Sequence, residues 1–360
     1  DLRYARLYGY LQDDLTRRRP CADLLAGLLA GTAAERLDVL RRLRGPSRLH
    51  THGLIADTGP GKPAGTPCWS AQGLRIDASW QHWLHGLPGI DASCARFARL
   101  VGYDTVSQRP RALGPALADD AVLQMLQRLI EQTQRGLATP RLMLDGPHGA
   151  GKLALAHAFA QALDLSLLAV DVHQAEDAPD LQAIWSRSVR AARLTAALPC
   201  IHGSLNLAQR DPALLQLLAR ALARHEGPFI VLRSAPWPQL HGDQPIDALQ
   251  LPLPLPGTAR RAALWTQALQ ERGLPIDAAA LTTAAARFAL SGAQIAQAAA
   301  DLAASRCLIP THDAAEPLGI TALAAAARAQ SAAPLRALAR RITPRADFAT
   351  LVCPADVLAQ

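Results

Sequence analysis

Arg141-Leu142-Met143-Leu144-Asp145-Gly146-Pro147-His148-Gly149-Ala150-Gly151-Lys152-Leu153 is the stretch that decides the fold of this chain. From Gly146 it follows G-x-x-x-x-G-K, the pattern of a phosphate-binding loop. In such a loop the glycines let backbone N–H groups converge on phosphate oxygens, and the helix that starts there adds its positive end. The context the motif needs is present. Arg141 to Asp145 is a short apolar strand, and Lys152 to Leu163 has helical composition. Only two lysines occur in 360 residues. The other basic residues are Arg, so a Lys at this position is not compositional noise. Lys152 would contact the outer phosphates of a bound nucleotide, ATP or ADP.

The next position ordinarily carries Ser or Thr, whose hydroxyl coordinates Mg²⁺. Here it is Leu153, which offers no oxygen and adds bulk. Gly146, Pro147, His148, Gly149, Ala150, Gly151, Lys152 and Leu153 are therefore expected to bind nucleotide without turning it over well. The role of Mg²⁺ stays open, and no protein metal ligand is assigned. The plainer alternative is a purely structural helix start with Leu153 packed under the sheet.

Downstream, strands and helices alternate. Ser166 to Val172, Ala197 to Ile201, Phe229 to Ser234 and Leu249 to Leu255 read as buried strands. Helical patterns at 178–196 and 212–223 lie between them. Together with Arg141 to Asp145 they make five strands of a parallel α/β sheet. In a nucleotide hydrolase of this kind, a core strand ends in Asp-Glu. The Asp holds Mg²⁺ and the Glu activates water. The strand here continues into His202-Gly203-Ser204, and no carboxylate follows until Asp211. His202 is a candidate substitute base; its plainer reading is a surface histidine at a strand end. Ser234, with Arg233, falls where a polar residue would sense the γ-phosphate, although Ser before Pro236 is also ordinary turn chemistry. The segment 235–251 holds no Arg or Lys, so no arginine finger is available there.

Upstream, Leu2 to Leu11, Asp23 to Leu29 and Ala33 to Leu43 have helical spacing. Leu49 to Ile55 and Gly73 to Ile76 read as strands of a small β-ribbon, joined by a Gly/Pro loop over 58–67. Trp80 and Trp83 lie in a further helix ending near Gly86. Gly59-Pro60-Gly61-Lys62-Pro63 imitates a phosphate loop, but Pro63 stands where a helix with free amides must continue. A Pro-containing linker then leads to a helix over 119–133. Beyond Gly257 the chain is helical to about Arg341.

Half of the residues are apolar, mostly Ala and Leu, and the net charge is +7. No apolar run approaches the ~18 residues that span a bilayer. The first residues do not form a signal peptide. A cytoplasmic protein is expected, and a fragment with an upstream part missing. The six cysteines show neither C-x-x-C spacing nor a zinc pattern. Ten Arg face six acidic residues in the first fifty positions, with clusters at 17–19 and 41–44. Such a surplus attracts nucleic acid, yet no aromatic interleaving accompanies it. A solvated helix face is the better reading, and nucleic acid is not an expected partner.

The strand–loop–helix unit, the strand where the acidic pair would sit, the sensor strand and the helical end together resemble an AAA+ ATPase module. Leu251-Pro252-Leu253-Pro254-Leu255-Pro256, then Arg260 and Leu264-Trp265, resembles the junction of core and lid. Phe288 to Ile295 resembles the lid segment near the second sensor, with Gly292 and Ala293 in its small version. The N-terminal run Tyr4 to Pro20 is similar to a bacterial group of AAA+ proteins with a winged-helix-like N-terminal domain and tandem AAA modules. Some of that group are encoded with contractile injection systems. In it the first module is often degraded and the second is active.

The resemblance implies a helix-rich winged-helix-like N-terminal domain, then a P-loop parallel-sheet AAA+ core with a helical lid. The expected boundaries are a winged-helix-like domain over 1–105, linker and helix over 106–140, and core over 141–256. Lid helices follow over 257–341, and 342–360 is a connector toward a second module beyond the C-terminus. A hexamer-type homo-oligomer and protein partners are implied, and no membrane. Three other readings remain: an active hydrolase with His202 as base, a scaffold that binds no nucleotide, and a DNA-binding regulator.

Overall fold

The structure, a computed structural model, describes residues 2–44, 47–51, 53–56, 68–87, 89–90, 92–101, 113–114, 117–234, 237, 245–307 and 317–336. The loop 59–63, most of the linker after 105, Cys353 and the segment 342–360 lie outside the described residues. The chain divides into two compact units: Asp1–Gly146 with Lys152–Pro252, and Pro147–Gly151 with Leu253–Gln360.

The first unit opens with a 3₁₀ turn at Leu2–Tyr4 and α1 (Ala5–Leu11), followed by α2 (Ala22–Leu29), α3 (Ala33–Arg44) and α4 (Arg48–Thr51). β1 (Ile55–Ala56) and β2 (Arg75–Ile76) pair antiparallel as a small wing, Ile55 opposite Ile76. α5 (Ala78–Leu84) and α6 (Ala92–Ala95) complete this helix-rich part. Of the strand expected over Leu49 to Ile55, Leu49 to Thr51 belong to α4 and, among the described residues, Ile55 alone is strand. Leu54 N–H returns to Leu49 C=O (2.8 Å) and Gly53 N–H to His50 C=O (2.9 Å), a glycine helix terminus that only then releases the chain into β1.

β3 (Ala98–Val101) pairs antiparallel with β5 (Ser166–Asp171), Ala98 opposite Val170. Between them come α7 (Asp120–Gln134), β4 (Arg141–Asp145) and α8 (Lys152–Ala162). After β5 follow α9 (Ala178–Leu194), β6 (Ala197–His202), α10 (Ser204–Arg210), α11 (Pro212–Ala223), β7 (Phe229–Arg233) and β8 (Leu249–Pro252). The sheet order is β3-β5-β6-β7-β4-β8, and all neighbours from β5 to β8 are parallel. The five expected strands are all there. The sixth, β3, is an addition that the sequence reading leaves in the N-terminal unit. The loop-bearing β4 thus lies between β7 and β8, inside the sheet. A helix-rich part with a small wing thus precedes a mostly parallel α/β core of the P-loop type.

The strands form because both faces of the sheet are covered, so their residues read as continuous apolar runs rather than alternating ones. Leu142, Met143 and Leu144 of β4 are buried, as are Phe229 to Arg233 of β7. Leu155 and Phe159 of α8 are also fully buried. Burying each such side chain contributes about 1.5–3 kcal/mol. Pro199 sits inside β6 and has no N–H to donate. The pairing of β6 with β7 begins only after it, at Cys200 opposite Ile230. Helix starts are written locally. Asp177 accepts from Asp180 N–H (2.8 Å) ahead of α9, and Asp211 from Ala213 N–H (2.9 Å) ahead of α11.

The second unit holds α12 (Thr258–Gln270), α13 (Ala278–Arg287), α14 (Gly292–Arg306) and α15 (Ile320–Arg336). Trp265, Leu269, Leu281, Ala284, Leu290, Ile295 and Ala298 form its core. Buried Arg261 ties α12 to α13, donating to Ala285 C=O and Pro256 C=O, both at 2.7 Å. α14 starts at a capping box in which Ser291 and Gln294 exchange side-chain and backbone hydrogen bonds.

Candidate functional site

In open α/β sheets, ligands sit at the carboxyl ends of the strands. Five side chains of the first unit mark that rim: Asp145 on β4, Asp171 on β5, His202 on β6, and Arg233 with the following Ser234 on β7. Asp145 and Arg233 are opposite each other in the parallel ladder. The Arg233 guanidinium grips Asp145 bidentately, Nε to Oδ1 and Nη2 to Oδ2 at 2.5 Å each. Nη2 also donates to Gln250 Oε1 at 3.3 Å, and Trp237 lies 5.8 Å from the guanidinium carbon. Arg233 is buried, only 7% exposed. Its carbonyl accepts the N–H of Gly146 (3.1 Å), so β7 fixes the point where β4 enters the loop. Ser234 is exposed.

Lys152, the first residue of α8, is buried, and its Nζ donates to the Gly146 carbonyl. The ammonium thus lies back across the entrance to the loop. Burial lowers its pKa from the usual lysine value, and the nearby Asp145 carboxylate partly opposes this. Leu153 is half-buried.

Pro147 to Gly151 belong to the second unit. Pro147 and His148 are exposed, Ala150 is buried, and Ala150 N–H closes a turn onto Pro147 C=O at 3.3 Å. Gly149 has a left-handed backbone, φ 81°, which glycine alone adopts at little cost. A Cβ there would also stand 2.5 Å from Ser291 Oγ. The Gly149 carbonyl accepts from Ala293 N–H at 3.4 Å. Gly292 and Ala293, the small residues singled out for the second sensor, therefore open α14 directly beside the loop backbone.

At the other end of the rim, His202 is one-third exposed, and its Nδ1 is 3.8 Å from Asp171 Oδ1. Burial pushes its pKa below the ordinary histidine value; Asp171 opposes and Arg99 reinforces the shift. Gly203 is left-handed, φ 83°, and a Cβ there would collide with Asp171 Oδ1. That oxygen also accepts from His173 N–H at 3.0 Å. Asp171 and Asp145 are the members of this rim that the sequence reading missed. The available signal was a carboxylate closing an apolar run. Its partner was illegible, because ladder register is a tertiary property.

The donor set does not fit the Mg²⁺ that such a loop ordinarily shares with its nucleotide. Leu153 has no oxygen, and β6 ends in His202-Gly203. Both oxygens of Asp145 are held by Arg233, and Asp171 Oδ1 is spent on its own strand end. Among the described residues, no group of three or more His, Cys, Asp or Glu could hold a metal ion.

Elsewhere, Arg17 of the first arginine cluster pairs with Asp14 at 3.1 Å. In the second, Arg42 pairs with Asp38 at 2.7 Å along α3. Among the described residues, no helix is long and apolar enough to cross a membrane.

Residues 1–98 match the family model of the variant winged helix domain. That match and the wing agree: the N-terminal part is a winged-helix domain. No curated protein matches this chain. Similar solved structures include the AAA domain of FIGL-1, 14% identical, covering 79% of this chain and 97% of that one, with a TM-score of 0.49. The FIGL-1 AAA domain in complex with ADP is 14% identical, covers 76% and 95%, and has a TM-score of 0.48. A structure described as the structural basis for katanin self-assembly is 15% identical, covers 67% and 92%, and has a TM-score of 0.47. The fold assignment rests on strand order and on the placement of the loop within it.

Proposed function

We propose that this chain carries a degenerate AAA+ module that binds ATP or ADP at Gly146 to Leu153. Its role is structural or regulatory within an oligomeric remodelling ATPase. The observation behind this is the complete G-x-x-x-x-G-K run between β4 and α8, with Lys152 Nζ on the Gly146 carbonyl, beside a β6 that ends without a carboxylate. Loop amides and Lys152 would hold the phosphates. Neither Leu153 nor His202-Gly203 supplies what hydrolysis needs, so turnover belongs to another module, expected beyond the C-terminus. A hexamer-type assembly, protein partners and a cytoplasmic setting go with this reading.

The test is nucleotide binding by the purified chain. ATP or ADP at a hundred times its Kd should stabilise the fold by about 2.7 kcal/mol, and Lys152→Ala should abolish that shift. Unchanged melting with either nucleotide at saturating levels would sink the binding half. Hydrolysis by the wild type that disappears in Lys152→Ala would sink the inactive half. One observation favours an active module instead: Asp171 beside His202 could orient it as a base. That reading requires hydrolysis that is lost in His202→Ala.

A further inference from the structure

We infer that Arg190 is a latch that closes the stem of the wing onto the core, and that opening it frees the stem while residues 94–98 stay seated. Arg190 lies on α9, the helix between β5 and β6. Its Nη1 donates to Gly53 C=O at 3.2 Å, and its Nη2 stands 3.3 Å from Asp77 Oδ2. Gly53 comes two residues before β1, and Asp77 directly follows β2. One guanidinium thus spans both ends of the β-ribbon. Asp77 completes the stem. Its N–H donates to Leu54 C=O at 2.9 Å, and its Oδ1 accepts from Ser79 N–H at 2.9 Å to cap α5. Gly53 is left-handed, φ 60°, and a Cβ there would collide with Arg190 Nη1.

What holds the stem is polar. α5 packs on α9 yet has no buried residue, and Arg75 and Ile76 of β2 are exposed. The side chains of Arg190 and Asp77 are only 12% and 21% exposed. Arg190 Nε is buried with no hydrogen-bond partner among the described residues. Closing the latch therefore costs part of the guanidinium's hydration. Such a pair gives geometric specificity more than net stability. Residues 94–98 are held differently. Cys94, Phe97 and Ala98 are buried in one cluster with Leu181 and Ile184 of α9, and β3 is paired to β5. A segment with few buried apolar contacts opens before one with many. The stem is the part that swings, and 94–98 is the pivot. Arg96 and Asp180, 2.6 Å apart, also join the pivot to α9, but Arg96 is exposed and the pair contributes little.

The experiment is hydrogen–deuterium exchange, read by mass spectrometry, on the full chain and on Arg190→Met. Amides of 53–56 and 75–84 should exchange about tenfold faster or more in the variant, while β5, β6 and 94–98 keep their wild-type rates. Unchanged exchange at the stem overturns the latch. Equal acceleration in β5 and β6 also overturns it, since Arg190 is then a support of the whole core. Asp77→Asn keeps a cap for α5 and removes the charge. It should speed the same amides, and combining it with Arg190→Met should add nothing further. Additive effects of the two substitutions overturn the assignment of the latch to this pair. If Arg190→Met does not fold, Asp77→Asn decides alone: selective acceleration at the stem supports the latch, and wild-type rates there overturn it.

Discussion

The tips of β4 and β6 lie on one rim and carry different things. At β4 the glycines, the lysine and the helix start are all present. At β6 the strand ends in His202-Gly203, with no carboxylate. The difference follows from what each feature is made of. The loop at β4 is mostly backbone, and its residues have packing work independent of any nucleotide. Gly149 is pressed against Ser291, Ala150 is buried, Lys152 caps the Gly146 carbonyl, and Gly146 is tied to β7. A catalytic acid on β6 would have only chemistry to keep it there. Under the proposed reading, packing alone can hold the loop in place, while the strand tip reports on turnover.

That comparison can be broken in several ways. The largest effect on stability is expected from Arg233→Met, which takes the guanidinium partner from the charged Asp145. It should cost about 3 kcal/mol, read as a lower urea midpoint. Asp145→Asn combined with it should recover part of the loss, and strict additivity would show that the pair does not hold β4 to β7. Gly149→Ala should cost about 2 kcal/mol through its left-handed backbone, with the Ser291 contact added. Gly203→Ala should behave alike, because the β6 tip is also closed around a left-handed glycine. A neutral Gly203→Ala would mean that only the β4 tip is under packing constraint.

A smaller effect concerns pH. Burial holds His157, His202 and His225 below the ordinary histidine value of 6.5. Their folded pKa values are depressed, so the unfolded chain takes up protons first as pH falls. Stability from these groups is complete above that value and declines through it on acidification. Denaturation midpoints from pH 8 down to pH 5 should fall, and a rise toward pH 5 would contradict the burial of these rings. The smallest change in stability is expected from Lys152→Met. It loses the hydrogen bond to Gly146 but relieves a buried charge, so its net cost should stay within about 1 kcal/mol while nucleotide-induced stabilisation vanishes. A large loss of stability without nucleotide would recast Lys152 as a structural residue first.

Much of the core was legible because its signals are local. β4, α11 and the start of α8 occupy the residues expected of them, since an apolar run, a Pro after an N-cap Asp, and a glycine loop each act within a few residues. Leu49 to Ile55 misled because Leu and Ile spacing outweighed the glycine that ends α4. α10 was missed because its seven residues follow Gly203 at once, without a separating loop. β3 was missed because a four-residue antiparallel edge strand has no period that separates it from the N-terminal helices.

By itself, the sequence determined that a phosphate-type loop joins a strand to a helix, and that Leu153, His202 and Gly203 stand where oxygen donors would be. Residue identity suffices for both, since an absent oxygen needs no geometry. Only the tertiary structure decided that Arg233 neutralises Asp145, that Lys152 folds back onto Gly146, and that Ser291 abuts Gly149. Those partners lie 88, 6 and 142 residues apart in the chain. Parallel register brings the first pair together and helix packing the third, and no local pattern encodes either.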